Sequence, residues 1–226
     1  MITTPLLYAQ TSGSAGGLTA SRNKGGAYVR IRAVPTVATS PAALNAKARL
    51  ALYAAAWGAL TDVQRNSWER YGVIKPTTNA LGMPKILTGI NAYVAINTRL
   101  NLAGDATLNS PPIGSDPNAL VTASSTFDIT PGPVALTFTP TPLGATNRLW
   151  LEAAVVDSPG INYIENLKRF VVASALNLAT GYDWQPAVEA VFGPLVVGQK
   201  VILLPMVFSS TTGLLSRPRR VEGTIV

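Results

Sequence analysis

The stretch that decides how this chain is organised runs from residue 12 to residue 34 and reads SGSAGGLTASRNKGGAYVRIRAV. Its glycines and serines are typical of a flexible segment that cannot fold onto a core of its own. It also lies in the strongly basic part of the chain, because residues 1–61 contain six lysines and arginines and no aspartate or glutamate. Residues 62–226 hold twelve basic and eleven acidic residues, so they add only +1 to the net charge of +7. We therefore expect a basic N-terminal arm, residues 1–35, that other molecules hold in place.

The end of this arm alternates as a β-strand does. In residues 27–34 the even positions from Tyr28 to Arg32 are aromatic or basic, and the odd positions from Val29 to Ala33 are apolar. Because the sequence shows no second strand nearby, we expect this strand to pair within the arm or with another subunit. The predicted assembly contacts are Arg22, Lys24, Tyr28, Val29, Arg30, Ile31 and Arg32, and the predicted hinges are Gly16, Gly17, Gly25 and Gly26.

The composition excludes several classes of chemistry. The chain has no cysteine and no histidine, which removes disulfides, thiolate metal sites, zinc hydrolases and histidine-dependent triads. Neither a phosphate-binding loop nor a dinucleotide-binding glycine motif occurs, and no acid/base pair stands out among the carboxylates. We expect no enzymatic activity, no cofactor, no metal and no membrane partner. Only 13% of the residues are charged, so we expect much of the surface to be buried against neighbouring proteins.

Helix signals follow between residues 36 and 104. Ser40 and Pro41 form an N-cap followed by proline at the first helical position. Thr61 and Gln64 have the spacing of a capping box, which predicts the start of a second helix. The three predicted helices span residues 41–58, 61–72 and 88–102, the last ending near Gly104, and the expected core anchors are Tyr53, Trp57, Trp68, Ile90, Tyr93 and Val94.

Beyond residue 104 the pattern changes. Residues 105–118 contain three prolines and are predicted to be a linker. Residues 119–226 alternate β-rich runs with turn signals, which favours an immunoglobulin-like or fibronectin-III-like sandwich. Pro205 within one run indicates an edge strand or a bulge. The predicted strands span residues 134–139, 148–156, 170–178, 200–208 and 219–226, with weaker ones near Leu120 and Ile161.

The expected fold class is therefore α+β. It comprises an extended N-terminal arm (1–35), a small helical domain of three helices (36–104), a linker (105–118) and a C-terminal β-sandwich (119–226).

Two motifs carry a resemblance to a known family. The arm with its SRNKGG sequence at 21–26, followed by WGALTDVQRNSW at 57–68, resembles a family of uncharacterised proteins encoded in tailed bacteriophages and prophages. In that family a Gly/Ser-Arg-Asn-x-Gly-Gly arm precedes a Trp-x-x-Leu-Thr-x-x-Gln-Arg-x-x-Trp helical core, often with an Ig-like domain behind. The resemblance covers about the first 100 residues, and the remainder only by architecture. This chain departs from the pattern at residues 37–41 and at Asn45, where typical relatives carry Asn-Pro and a glutamine.

The resemblance implies a virion component. We expect a non-enzymatic structural protein of a tailed bacteriophage, a head decoration or minor capsid protein, whose partners are copies of itself, the major capsid protein and other virion proteins. One alternative is a tail or collar component. Another is a carbohydrate-binding adhesive module that exposes Trp150, Tyr163, Tyr182 and Trp184. A third possibility is a nucleic-acid-binding protein that uses the basic arm.

Overall fold

The computed structural model describes residues 12–23, 26–34, 40–78, 83–129 and 134–226. The chain forms two compact units, an N-terminal unit of Met1–Ala46 and a main unit of Lys47–Val226. Helices and sheets are both present, so the predicted α+β class is confirmed.

The N-terminal unit contains a three-stranded antiparallel sheet. Its strands are β1 (Gly13–Ala15), β2 (Leu18–Asn23) and β3 (Gly26–Ile31), hydrogen-bonded in that order. We call this the N-terminal sheet. The strand predicted from residue 27 onward corresponds to β3, and its partner is β2 of the same arm. The sequence did not predict β1 and β2, because β1 consists only of glycine, serine and alanine and β2 lies between two pairs of glycines in the same segment.

Three helices follow: α1 spans Pro41–Ala59, α2 spans Asp62–Ile74 and α3 spans Gly89–Ala103, with a short ladder of β4 (Thr77–Thr78) and β5 (Pro84–Lys85) between α2 and α3. The predicted caps are confirmed. The Ser40 hydroxyl accepts a hydrogen bond from the amide of Ala43 at 3.3 Å. Thr61 and Gln64 form both hydrogen bonds of a capping box, and Gly104 ends α3 in the left-handed conformation with φ of 75°.

The second helix does not end at Gly72, as predicted, but continues to Ile74. Gly72 instead permits a close contact, because a Cβ at this position would collide with the carbonyl oxygen of Leu87. Gly89 is in a matching position, since a Cβ there would lie 2.8 Å from the amide nitrogen of Glu69. These two glycines bring the backbones of α2 and the start of α3 together. Gly72 therefore serves the packing of the two helices and does not terminate α2.

Substituting Gly72 with alanine is expected to lower the free energy of unfolding by about 2 to 3 kcal/mol, because a backbone carbonyl cannot swing away from the added methyl group. The matched control is Gly58→Ala in α1, where a Cβ would meet nothing within 4 Å. That substitution is expected to raise the free energy of unfolding by about 0.5 kcal/mol. Urea unfolding of the full chain measures both, and equal effects of the two substitutions would contradict the close approach.

The rest of the main unit contains two antiparallel sheets. One has the order β10-β7-β6 and the other the order β12-β11-β8-β9. Their strands are β6 (Thr122–Ser125), β7 (Ala135–Thr139), β8 (Asn147–Val156), β9 (Arg169–Leu176), β10 (Tyr182–Asp183), β11 (Lys200–Ser209) and β12 (Val221–Thr224), with α4 (Gln185–Phe192) before β11. The five clear strand predictions each coincide with a strand, and β6 corresponds to the weaker one near Leu120. No strand forms at Ile161, and α4 was not predicted.

Pro205 lies in an interior strand, because β11 has β12 on one side and β8 on the other. The prediction of an edge strand is therefore wrong for β11 as a whole. Locally, however, β12 pairs only with residues Lys200 to Leu203 of β11, so its pairing with β11 does not reach Pro205. The Pro205 carbonyl accepts a hydrogen bond from the Arg219 amide at 3.1 Å, on the side away from β8. Since the nitrogen of a strand residue points to the same side as its carbonyl, the missing N–H breaks no bond to β8.

The four-stranded sheet is buried on both faces. On one face, Leu149 and Leu203 belong to a core shared with the β10-β7-β6 sheet. On the other face, Trp150, Met206 and Phe208 pack with the helices. A strand covered on both sides has no polar face, which explains the nearly continuous apolar sequence of β11. Of the expected anchors, Tyr53, Trp68 and Tyr93 are buried, and Trp57, Ile90 and Val94 are half-buried.

The predicted linker, residues 105–118, contains neither helix nor strand, but its first residues are anchored to the rest of the main unit. Asp105 forms an ion pair with Arg148 at 2.7 Å. Asn97, fully buried on α3, donates a hydrogen bond to the Leu108 carbonyl and accepts one from the Leu108 amide. The helices and the four-stranded sheet thus share one core across this segment, a continuity that the sequence did not indicate.

Candidate assembly surface

The N-terminal sheet has no core of its own among the residues that the structure describes. None of the side chains described for this sheet is buried. Its larger aliphatic residues are exposed, with Leu18 at 52% and Ile31 at 81% of their full accessible surface. A small sheet owes its stability to a hydrophobic face or to a helix that packs against it, and a hydrophobic face contributes most when it is removed from water. The exposed sheet is therefore the candidate functional surface of this chain.

The strand register gives the sheet two different faces. Leu18 lies opposite Ile31, and Ala20 lies opposite Val29. Because paired residues of neighbouring strands point to the same side, these side chains form an apolar face, which comprises Ala15, Leu18, Ala20, Val29 and Ile31. The other side, which we call the polar face, comprises Ser14, Thr19, Ser21, Tyr28 and Arg30. The predicted alternation of β3 is thus confirmed.

The cations are divided between the two sides of the sheet. Arg22 lies opposite Ala27 and so shares the side of the apolar face. Arg30 lies on the polar face, and Arg32 follows the end of β3, where its backbone amide donates a hydrogen bond to the Gly17 carbonyl at 2.7 Å. None of these three arginines is among the ion pairs of the described residues. Their charges are therefore available to an anionic partner.

The predicted hinge glycines fall at the ends of strands. Gly16 and Gly17 form the two-residue turn between β1 and β2, and Gly16 has a φ of 55°, which glycine adopts without strain. Gly26 begins β3 opposite Asn23. Lys24 and Gly25 lie outside the described residues.

Two of the five residues of the apolar face were predicted from the sequence, and three were missed. Val29 and Ile31 were predicted from the alternation of β3, whereas Ala15, Leu18 and Ala20 were not. Their signal was present but weak, because Leu18 and Ala20 alternate with Thr19 and Ser21 in a run that is rich in glycine. Leu18 supplies the largest exposed apolar side chain of β2 and lies opposite Ile31.

Two edges of the N-terminal sheet remain open within the described residues. The strand order places β2 in the centre and leaves β1 and β3 at the edges. An edge strand offers backbone N–H and C=O groups to a further strand. The sheet can therefore bind a partner through its apolar face, through an edge, or through both.

The main unit offers weaker candidates. A cavity of about 420 Å³ is lined by Asn118, Asn147 and Ser209 together with Asp116, whose carboxylate is paired with Lys75 at 2.9 Å. No group of three or more potential metal ligands occurs in the part of the chain that the structure describes. Within the same residues, no helix is long and apolar enough to cross a membrane.

The aromatic residues proposed for glycan binding are mostly inside. Trp150 and Trp184 are buried, and the Trp184 indole donates a hydrogen bond to the Ser125 hydroxyl at 2.7 Å. Tyr182 is half-buried, and Tyr163 is exposed. The two tryptophans are therefore unavailable for stacking on a sugar.

Comparison with known proteins gives no match to a family model, to a curated protein or to a solved structure.

Proposed function

We propose that this chain is a non-enzymatic structural protein of a tailed-bacteriophage virion, a head decoration or minor capsid protein that the N-terminal sheet anchors to neighbouring subunits. The observation that carries the proposal is the exposed apolar face of a sheet with no described core. The resemblance of the arm and of residues 57–68 to phage-encoded proteins supplies the setting. A tail or collar position would use the same surface with different neighbours.

Leaving the apolar face in water forgoes the free energy that its burial would contribute. Each fully buried aliphatic side chain contributes about 1.5 to 3 kcal/mol relative to an exposed one. Leu18, Val29 and Ile31 gain this contribution only if a partner covers them. A virion contains many copies of such a contact in a fixed arrangement, so modest individual contacts add up to firm attachment.

We further propose that β6 to β12 form a module of the immunoglobulin or fibronectin-III type. In such sandwiches the strands A, B and E are neighbours in one sheet and C, F and G in the other. Taking β6, β7 and β10 as A, B and E, and β8, β11 and β12 as C, F and G, reproduces both orders. The remaining strand, β9, lies beside C, where variable-type domains add C′. Such modules commonly mediate contacts between proteins.

Replacing both Leu18 and Ile31 with serine is expected to reduce the number of copies per particle at least about tenfold, because roughly 2 to 3 kcal/mol of apolar burial is lost at each contact. The matched control replaces Thr19 and Ser21 on the polar face with alanine. Copies per particle are measured by quantitative mass spectrometry of purified phage whose own gene is deleted and complemented by each variant.

Both double variants are expected to unfold in urea like the unchanged chain, since none of the four side chains is buried. The absence of the chain from purified particles would refute the virion role. Full incorporation of the Leu18 and Ile31 variant would refute the role of the apolar face.

A further inference from the structure

We infer that the partner of the apolar face is a different protein that presents an apolar patch bordered by carboxylates, and that it is not a second copy of this chain. The inference rests on the proposed function and names the partner of the same surface. The inference follows from the charges around the sheet, from the carboxylates of the rest of the chain, and from the chemistry of a nucleic acid as the competing ligand.

The first step concerns the charges around the sheet. Arg22 shares the side of the apolar face, Arg30 lies behind it, and Arg32 lies at its end. The first 61 residues contain no carboxylate side chain that could offset these cations. Two copies meeting through their apolar faces would therefore bring Arg22 of both copies, with Arg32 at the end of β3, into one interface to which the sheets supply no carboxylate, and like charges at an interface are repulsive.

The second step concerns the acids that another part of a second copy could offer. The main unit carries all eleven carboxylate side chains of the chain, and ten of them, Asp128 included, already have an interaction within the molecule. Those in ion pairs are Asp62, Asp105, Asp116, Glu165 and Glu222. Those that accept a hydrogen bond from a neutral group are Glu152, Asp157, Asp183 and Glu189. Because residues 62–226 hold twelve basic and eleven acidic residues, a second copy has no surplus of carboxylates, and a partner with such a surplus complements the arginines better.

The third step separates an acidic protein from a nucleic acid. Phosphates would satisfy the arginines equally well. They would leave Leu18, Val29 and Ile31 in water, however, because a phosphate backbone has no aliphatic surface to cover them. An acidic protein patch with an apolar centre satisfies the charges and the apolar face together.

The decisive experiment is photocrosslinking in purified particles from p-benzoylphenylalanine placed at residue 31. The control places the same group at residue 19 on the polar face. We expect residue 31 to crosslink to another virion protein at a site with neighbouring aspartate or glutamate residues. We also expect Arg22→Glu to lower the yield about tenfold, whereas Arg217→Glu, at an exposed site in the main unit, leaves it unchanged. A crosslink to a second copy or to the genome would overturn the inference.

Two measurements on the isolated full chain keep this result separate from the fate of the virion role. Sedimentation at low salt is expected to give a monomer, and a dimer that disappears on replacing Leu18 and Ile31 with serine would overturn the inference. Binding to a 20-nucleotide single strand is expected to be unaffected by those substitutions and to weaken about 50-fold between 50 and 200 mM salt if four cations contact phosphates. Strand binding that requires Leu18 and Ile31 would overturn the inference. If the chain is absent from particles, the proposed function fails, but these two measurements still decide between the partner classes.

Discussion

Replacing Trp68 with alanine is expected to lower the free energy of unfolding by about 4 kcal/mol. The side chain is fully buried in the core that joins the helices to the four-stranded sheet. Its ring packs edge-on against Tyr71 at 5.6 Å and Tyr93 at 5.5 Å between ring centroids. Its indole nitrogen also donates a hydrogen bond of 2.9 Å to the Asn109 carbonyl. Alanine removes the ring, leaves a cavity and frees the segment that this bond holds.

The control for this prediction is Trp57→Ala. Trp57 also contacts Tyr93, with 5.6 Å between ring centroids, but it is half-buried. Its loss is expected to cost about 1.5 kcal/mol, because less apolar surface returns to water. Urea unfolding followed by far-ultraviolet circular dichroism compares the two variants without relying on tryptophan fluorescence. A cost below about 2 kcal/mol for Trp68→Ala, or one no larger than that of the control, would show that this residue does not anchor the shared core.

Replacing Asp105 with alanine is expected to cost about 4 kcal/mol, because it leaves the Arg148 guanidinium buried without its counter-ion. In the folded protein Nε of Arg148 donates to Oδ2 of Asp105 at 3.1 Å, and Nη2 donates to Oδ1 at 2.7 Å. The third nitrogen, Nη1, donates to the Ser174 carbonyl at 2.9 Å. Both side chains are largely buried, with 17% and 11% of their surface exposed, so water cannot replace the lost carboxylate.

Replacing both members of the pair separates the worth of the ion pair from the cost of leaving one charge buried alone. Replacing Asp105 with leucine and Arg148 with methionine together is expected to cost less than Asp105→Ala alone, since no unpaired charge remains. The exposed pair of Lys75 and Asp116 provides the comparison, with Asp116→Ala expected to cost less than about 1 kcal/mol. Chemical unfolding at constant pH gives all of these free energies. Similar costs for Asp105→Ala and Asp116→Ala would mean that the Arg148 pair behaves as a surface pair.

The features that the sequence predicted well are those that depend on nearby residues. The capping box at Thr61 and the left-handed C-cap at Gly104 involve groups within a few residues of each other, and both are present. Gly72 was misinterpreted because its reason lies at Leu87, on the far side of a loop. The shared core was missed for the same cause, since the contact of Trp150 with the helices joins parts of the chain that are distant in sequence.

The candidate assembly surface shows the same division. The alternation within β3 predicted the opposite facing of Tyr28 and Val29 without knowledge of any partner strand. Which residues complete the apolar face depends on the register that joins Ile31 to Leu18 and Asn23 to Gly26. The glycine-rich segment was interpreted as a flexible hinge and not as a hairpin, so the register that its short connection sets was not predicted. Arg22 was grouped with Arg30 by sequence proximity, yet the register puts the two on opposite sides of the sheet.

The four-stranded sheet, covered by helices on one face and by the other sheet on the second, also limits how genes for such chains can recombine. A crossover between residues 105 and 118, where composition suggests a harmless junction, would separate Trp68 and Tyr93 from Trp150 and Phe208. The resulting chimaera would expose a large aromatic surface unless the incoming half had evolved with the same helices. Exchange of these two sheets between related genes is therefore constrained to carry the helices along, so the two parts should share one evolutionary history.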